Sequence, residues 1–536
     1  MKKIIVLALL CFHSIFAQKQ VTSFSTKYKG GPSTIEQSFY LKHSANDESV
    51  IFLSNKNKMI AYLLSNTLEQ KEIIHTDELP AKYSYIIGGV EINDTYTLFL
   101  TNSKSNKFAK INFDFTTKKV SSKEIELDLG NQIFVQTVVY NQKLYLIAVE
   151  ENSSNLYFYE LKNKEDIPLK TIRFKDEDFF VSDQTTLNFN LIDGLNVSGT
   201  SKTSNLFQHL ASTYSKVNIL GFYRKKVEIS KVNTKNENTI AAASTLNKLY
   251  LHNNLLYISL DADRLKTTVL EINLDTFNGK VKFFNHDAIA IENKFARSNS
   301  FLFDNKVHQL VSTKDTLIYQ IKEYSSSALL KSIHQNKTDS IHFKNSPFRF
   351  KYNSINSSDE GDIKRNKTNV FLRKINAQYN GIAVSNFKNG YKVKIGGAKT
   401  TTRETPGGPM VGLSNTLYGN PNAANNYRVG TAYYDPTLFS YNSYDISNSI
   451  WIDCLFNDNF EHVEGTVSDS KFERVNKLKN YITEGRIKVN PEGKGAQYAK
   501  GANIHAENIF WNNDKLYFGF YQKRDKTYNI FEMKDQ

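Results

Sequence analysis

The residues that could do chemistry stand apart from one another. Past residue 17 the histidines, at 43, 75, 209, 252, 286, 308, 334, 342, 462 and 505, include no His-Glu-x-x-His pair of the kind that sets two imidazoles on one helix face. His462-Val463-Glu464 and His505-Ala506-Glu507 alternate, and on a strand two residues spaced this way face the same side and could share a site. Asp261-Ala262-Asp263 and Ser358-Asp359-Glu360-Gly361-Asp362 are acidic, but neither completes the oxygen spacing of a calcium loop; both are expected to be solvated loops. There is no Gly-x-Ser-x-Gly elbow, phosphate loop or cofactor fingerprint. Cys454 sits in the alternating run Ile450 to Phe456 and reads as a buried strand thiol. No catalytic residue, metal or cofactor is therefore assigned. Carboxylates brought together from distant segments, as for glycan cleavage, remain the enzymatic alternative.

One segment differs from the rest. From Gly396 to Tyr441 the chain is rich in Gly, Pro, Asn and Tyr, and from Thr405 to Tyr427 it carries no charge, although charged residues make up 23% of the whole. Long connections in compact domains are usually functional or disordered, and disorder goes with high charge and few aromatics. The expectation is an ordered contact with a partner, made by Gly407, Gly408, Met410, Leu413, Tyr418, Tyr427, Arg428, Tyr433 and Tyr434. Tyrosines of this kind anchor interfaces, and missing charge lowers the desolvation cost.

The elements that must position this segment repeat. An Asn- or Asp-containing turn between apolar, aromatic-rich strands occurs at Asn46-Asp47, Asn93-Asp94, Asn141-Gln142, Asn253-Asn254, Asp304-Asn305, Lys388-Asn389-Gly390 and Asn513-Asp514. Each reads as a β-hairpin, because Asn and Asp tolerate the positive φ of tight turns. Third strands follow at 107–114, 155–161, 267–274, 316–324, 449–456 and 528–533, with fourth strands at 122–127 and 169–174. Early units lie about 47 residues apart, the sequence signature of a β-propeller blade. The fold expected is an all-β propeller of about seven four-stranded blades, eight being the alternative if one lies between Gln184 and Asn236. It forms a single domain over residues 18–536, with insertions at about 396–441 and 468–500. The second insertion should hold a helix that starts in a Ser470/Glu473 capping box and stops at Gly485. The chain resembles propellers as an architecture; the Gly-His and Trp-Asp marks of WD40 blades and the paired glycines of kelch blades are missing.

The ends bound the compartment. Met1-Lys2-Lys3, an apolar run from Ile4, and Ala17 form a secretory signal with cleavage before Gln18. Cys11 in that run follows Leu10, where a lipid-attachment site needs a small residue. The formal charge of +14 falls to +12 without Lys2 and Lys3. The lysines are scattered, with no basic stripe, so a solvated surface is expected rather than nucleic acid. No stretch is long and apolar enough for a transmembrane helix. Residues 20–28 alternate without an evident partner, and the last hairpin unit lacks a fourth strand, so the two are expected to pair. No sorting domain follows Met533, which points to the periplasm. The function expected is a non-enzymatic binding or scaffold protein of the bacterial envelope, serving outer-membrane transport, secretion or assembly machinery; the alternative is a secreted or periplasmic glycan hydrolase or lyase with its site in the propeller funnel.

Overall fold

The computed structural model describes residues 19–26, 35–43, 46–55, 58–76, 82–83, 85–102, 105–161, 169–180, 205–211, 227, 229–286, 296–353, 358–362, 367–400, 435–488 and 504–534. Asn93, Asp94, Asn141, Gln142, Asn253, Asp304, Asn305, Asn513 and Asp514 all lie at φ between 48° and 60°. That is the left-handed geometry a two-residue hairpin requires and these side chains tolerate. The turns set register, and register sends alternate side chains into the cores on either face of each sheet.

Seven sheets result among the described residues. Sheets 1, 2 and 3 are consecutive four-stranded meanders over 37–76, 85–125 and 132–173, and sheet 5 is another over 297–336. Sheet 4 is a meander over 247–285 with a fifth strand, Ser230–Val232, added in parallel at its first edge. Sheet 6 runs Tyr379–Asn386, Gly390–Thr400 and Ser447–Asn457, then turns back to Arg349–Asn353 and Ser358–Asp362 for its outer strands. The acidic run 358–362 is thus a strand, not a loop, and both sheets exceed the expected four strands. Sheet 7 is Ile504–Asn512, Lys515–Gln522 and Thr527–Met533, completed by Lys19–Ser25.

The helices described are α1 (Leu206–Ala211), α2 (Ile240–Ala243), α3 (Thr368–Asn376), α4 (Pro436–Ile446) and α5 (Lys471–Lys488). α5 begins at the expected capping box, with Ser470 N–H donating to Glu473 Oε2 at 2.7 Å and Glu473 N–H to Ser470 Oγ at 3.2 Å. It continues through Gly485 rather than stopping there. Between Gln184 and Asn236 the described residues give α1 and Ser230–Val232, which joins sheet 4; the rest of that stretch, where an eighth sheet was considered, lies outside the described residues, as do residues 1–18.

The sheets follow one another around a ring, as in a propeller. First strands touch between sheets 7 and 1, 1 and 2, 2 and 3, and 5 and 6, while sheets 4 and 5 meet through neighbouring strands. Where the inner edges converge, small polar side chains replace apolar ones and donate to the neighbouring sheet's backbone. Ser38 Oγ reaches Ala506 O at 2.8 Å, Thr137 Oγ1 reaches Ile87 O at 2.6 Å, and Asn380 Nδ2 reaches Arg297 O at 3.0 Å. Buried polar groups must be paired, so these bonds fix how adjacent sheets abut. Two seams are wedged by other elements. α1 and the turn Asp176–Phe179 fill the seam between sheets 3 and 4, where Phe179, Leu206 and Leu210 join the core. α2, α4 and α5 fill the seam between sheets 6 and 7.

The ring closes as expected, on the chain's own N-terminal strand. Lys19–Ser25 pairs antiparallel with Thr527–Met533, with one register shift between Gln20 and Thr22. Most of the strand is exposed; Phe24 is its buried anchor, stacked on Tyr528 at 5.6 Å and tilted against Tyr62 of sheet 1 at 4.3 Å. Tyr62 Oη also donates to Ser25 O at 2.9 Å. Phe24→Ala is expected to lower unfolding stability by about 3 kcal/mol, and deletion of residues 19–26 to lower it further. Urea denaturation of both variants checks this; a deletion as harmless as trimming a loose tail contradicts it.

Candidate functional site

Among the described residues, the seam between sheets 6 and 7 departs from the apolar pattern of the cores by burying a cluster of charges. In Gly390–Thr400, Tyr391, Val393 and Ile395 point into the core shared with sheet 5. Pleat alternation therefore turns Lys392 and Lys394 the other way, into the seam, where they are 4% and 7% exposed. On the adjacent strand Cys454 faces sheet 5 while Asp453 faces the seam with Lys394, its register partner. A buried charge without a partner is costly enough to unfold a domain, so counterions must converge here.

Further charges arrive from three other segments. Arg349 Nη1, from an outer strand of sheet 6, lies 3.7 Å from Asp453 and 3.6 Å from Glu473 of α5. Lys394 Nζ lies 3.9 Å from both Asp453 and Glu473 and 4.0 Å from Glu237, and Lys392 Nζ is 3.1 Å from Glu237. Burial disfavours the Lys394 ammonium, but the fields of Glu473, Asp453 and Glu237 outweigh it and raise its proton affinity. Burial likewise opposes the Glu237 carboxylate, and Lys394 and Lys392 reverse the shift downward. Neither carboxylate oxygen of Asp453 has a direct hydrogen-bond partner. The separations around it exceed hydrogen-bond length, so these ions attract one another through space rather than through hydrogen bonds.

The same seam fastens both flanks of the uncharged segment. The strand Gly390–Thr400 pairs to its last residue, Thr400 opposite Ser447. Gly396 and Gly397, expected to open the loop, are strand residues. At Gly396 an added Cβ would collide with Ile450 O across the ladder, which only glycine avoids. On the other flank Asp435 caps α4, accepting from Thr437 N–H at 2.7 Å, with Pro436 in the first turn. Lys351 Nζ donates to Tyr444 O at 2.6 Å at the far end, so opposite charges complement the helix dipole at both termini. Along α4, Asn236 Nδ2 donates to Thr437 Oγ1 at 2.8 Å and Thr239 Oγ1 to Ser440 O at 3.1 Å; Tyr441 Oη donates to Glu507 Oε2 at 3.2 Å. Asn236 in turn accepts from Trp511 Nε1 of sheet 7.

The expected contact residues Gly407, Gly408, Met410, Leu413, Tyr418, Tyr427, Arg428, Tyr433 and Tyr434 lie outside the described residues; their flanks are the residues just placed. The two His/Glu pairs do not share sites. A bulge at Ala506, whose φ is 49°, breaks the alternation, and Glu507 is engaged by Tyr441 and Lys479. His462 sits on an isolated bridge with Nε2 3.1 Å from Asn345 Oδ1, while Glu464 is exposed. Asp261, expected in a solvated loop, is buried: its Oδ2 is 2.9 Å from Lys248 Nζ, and Thr267 Oγ1 and Ser300 Oγ donate to its carboxylate. Cys454 is buried as expected, and burial raises its thiol pKa well above the ordinary value. Sequence reading missed the ion core because its members span more than two hundred positions; the available signal was a charge, Asp453, inside an apolar strand.

No protein-family profile matches the chain, and no curated protein matches it. Solved structures that resemble it include a mutant apocarotenoid oxygenase of Synechocystis, at 6% identity and a TM-score of 0.27 over 56% of this chain. AztD of Citrobacter koseri aligns at 9% identity and a TM-score of 0.24, over 55% of this chain and 58% of its own. A luciferin-regenerating enzyme aligns at 7% identity and a TM-score of 0.24, over 83% of this chain and 99% of its own. The chain spans 62% of the length of the first of these. At such identities and scores the likenesses say nothing about function.

Two outcomes test the seam. Lys394→Met leaves Asp453 and Glu473 short of a counterion and is expected to cost about 3–5 kcal/mol in urea denaturation; adding Asp453→Leu should restore much of it, since charge balance returns. Asp435 supplies the second. Burial pushes its carboxyl up to about 6 from 3.8. Between those pH values the folded chain binds more protons than the unfolded one, so this residue's contribution to stability rises as pH falls through 6 and is complete near 3.8. Asp435→Asn keeps a capping oxygen and should abolish that gain, seen by comparing urea midpoints at neutral and mildly acidic pH.

Proposed function

We propose that the protein is a non-enzymatic binding or scaffold propeller of the bacterial cell envelope, and that residues 405–434 are its contact with an envelope or outer-membrane protein. The observation that carries this reading is where the uncharged segment is inserted. In the other sheets the second and third strands are joined by short connections, such as Ser312 to Thr316 and Glu150 to Asn155. In sheet 6 the chain leaves at Thr400 and returns through α4 to Ser447. One flank is the strand that carries Lys392 and Lys394, and the other is α4, bonded to Asn236, Thr239 and Glu507, which suits a segment held at both ends by a fixed base.

The signal-like residues 1–17 support export, and no helix among the described residues is long and apolar enough to cross a membrane. A periplasmic location beside outer-membrane machinery is the compartment that fits these features. The glycan-cleaving alternative needs carboxylates free to act as acid and base. The carboxylates that gather in the seam are instead matched by Arg349, Lys392 and Lys394, and Asp261 near the inner strands is matched by Lys248.

Replacing residues 405–427 with a short Gly-Ser linker tests the reading. The expected result is an unchanged melting temperature together with loss of the proteins that co-purify from detergent-solubilised envelopes. A collapse in melting temperature, or an unchanged set of co-purifying proteins, contradicts it.

A further inference from the structure

A second recognition feature lies on another part of the ring. In an antiparallel four-stranded sheet, the turns after the first and third strands share one face, and the connection after the second strand lies on the other. The segment between Thr400 and Ser447 follows a second strand. The hairpin at Asn141-Gln142 follows the first strand of sheet 3, and the turn at Asp275–Phe277 follows the third strand of sheet 4's meander. These two turns therefore meet on the face opposite the end at which Thr400 leaves sheet 6, and between them is a cavity of about 260 Å³.

Its lining is preformed and mixed. Tyr140 Oη donates to Asp275 Oδ1 at 2.5 Å across the sheet 3–sheet 4 seam, and Asn254 Nδ2 donates to Asp275 Oδ2 at 2.8 Å. These bonds hold the phenol and the carboxylate in place. Phe277, at φ 54°, projects into sheet 3, with its ring 5.5 Å from Tyr145. Lys143 Nζ stands 3.5 Å from Glu160 Oε1, and Glu160 is 7% exposed. Half-buried Tyr140 and Phe277, the latter backed by buried Tyr145, thus line a cavity that also presents two carboxylates, Asp275 and Glu160, and two ammonium groups, Lys143 and Lys170.

We propose that this cavity binds a single uncharged pyranose unit of a saccharide. Small-ligand sites combine apolar and aromatic walls with a few fixed polar groups. A sugar ring needs that combination: its C–H face packs on aromatic rings, and its hydroxyls donate to carboxylates and accept from ammonium groups. The two carboxylates balance the two lysines, so an anion gains no net attraction, and the volume admits one ring rather than an extended chain. The bonds that fix Tyr140 and Asp275 lower the ordering cost of binding.

Saturation-transfer NMR on the full mature chain tests this with methyl β-glucopyranoside, methyl α-mannopyranoside and N-acetylglucosamine, each at millimolar concentration. The expected result is transfer to at least one of them. Affinity should weaken about tenfold in Tyr140→Phe, which removes the phenol hydroxyl, and in Glu160→Gln, which exchanges one acceptor oxygen for an amide donor and removes the charge. The chain with residues 405–427 replaced should bind as the parent does, which separates this site from the insertion reading. Melting curves show whether each variant is folded, and Lys143→Met serves as a third variant if either is not. No transfer from any of the three sugars, affinity unchanged in all folded variants, or displacement by equimolar inorganic phosphate overturns the proposal.

Discussion

The pairing of Lys19–Ser25 with Thr527–Met533 is the contact on which the ring depends. Without it, Tyr528 and Ile530 of the closing sheet lose part of their cover, and the backbone of Thr527–Met533 becomes an open edge. An open edge is a template for pairing with another chain. The contact joins residues more than 500 positions apart, such as Ser23 and Asn529, so the loop it closes is very long, and it cannot form until Thr527–Met533 is made. The strand itself is mostly exposed and depends on one aromatic anchor, Phe24, wedged between Tyr62 and Tyr528. Closure through sheet 7 then brings Ser38 to Ala506 and completes the inner polar bonds that set how sheets 7 and 1 abut.

The seam between sheets 6 and 7 answers a different constraint. Helices wedged into this seam need something stronger than shape to hold them in register, and for α5 it is charge. Arg349, Lys394, Asp453 and Glu473 come from sheet 6 and α5, Lys392 and Glu237 join sheet 6 to the segment before α2, and every buried charge has an opposite neighbour. Such a core adds little net stability compared with a well-packed apolar one, but breaking it strands a charge. It therefore favours one arrangement of α5 against sheet 6, while Asn236, Thr239 and Glu507 hold α4 beside it. Both flanks of the uncharged segment inherit that fixed arrangement, which is why an insertion of this length can sit in a closed ring.

Much of the fold was legible because its turns are written in residues that accept positive φ. Asn93-Asp94, Asn141-Gln142, Asp304-Asn305 and Asn513-Asp514 each mark a hairpin that the structure contains. The ring closure followed from an unpaired strand at one end and a missing one at the other, and α5 followed from Ser470 and Glu473. What sequence did not reveal depends on distant partners. Ser230–Val232 is too short to show a period, and Ser358–Asp362 is too acidic to read as a strand, yet each finds a sheet edge. The His505–Glu507 alternation was undone by a bulge that no local residue type announces. In the seam, only pairing across the sheet shows that Asp453 and Lys394 face each other.

The central claim is that the insertion's flanks belong to the rigid ring rather than hang from it. Hydrogen–deuterium exchange across the mature chain measures this directly. The account predicts that amides of α4 and of residues 471–480 of α5 exchange as slowly as those of Ser447–Asn457, opening only with global unfolding. Exchange in α4 orders of magnitude faster than in Ser447–Asn457, with the strands still protected, would show a loosely attached base and contradict it.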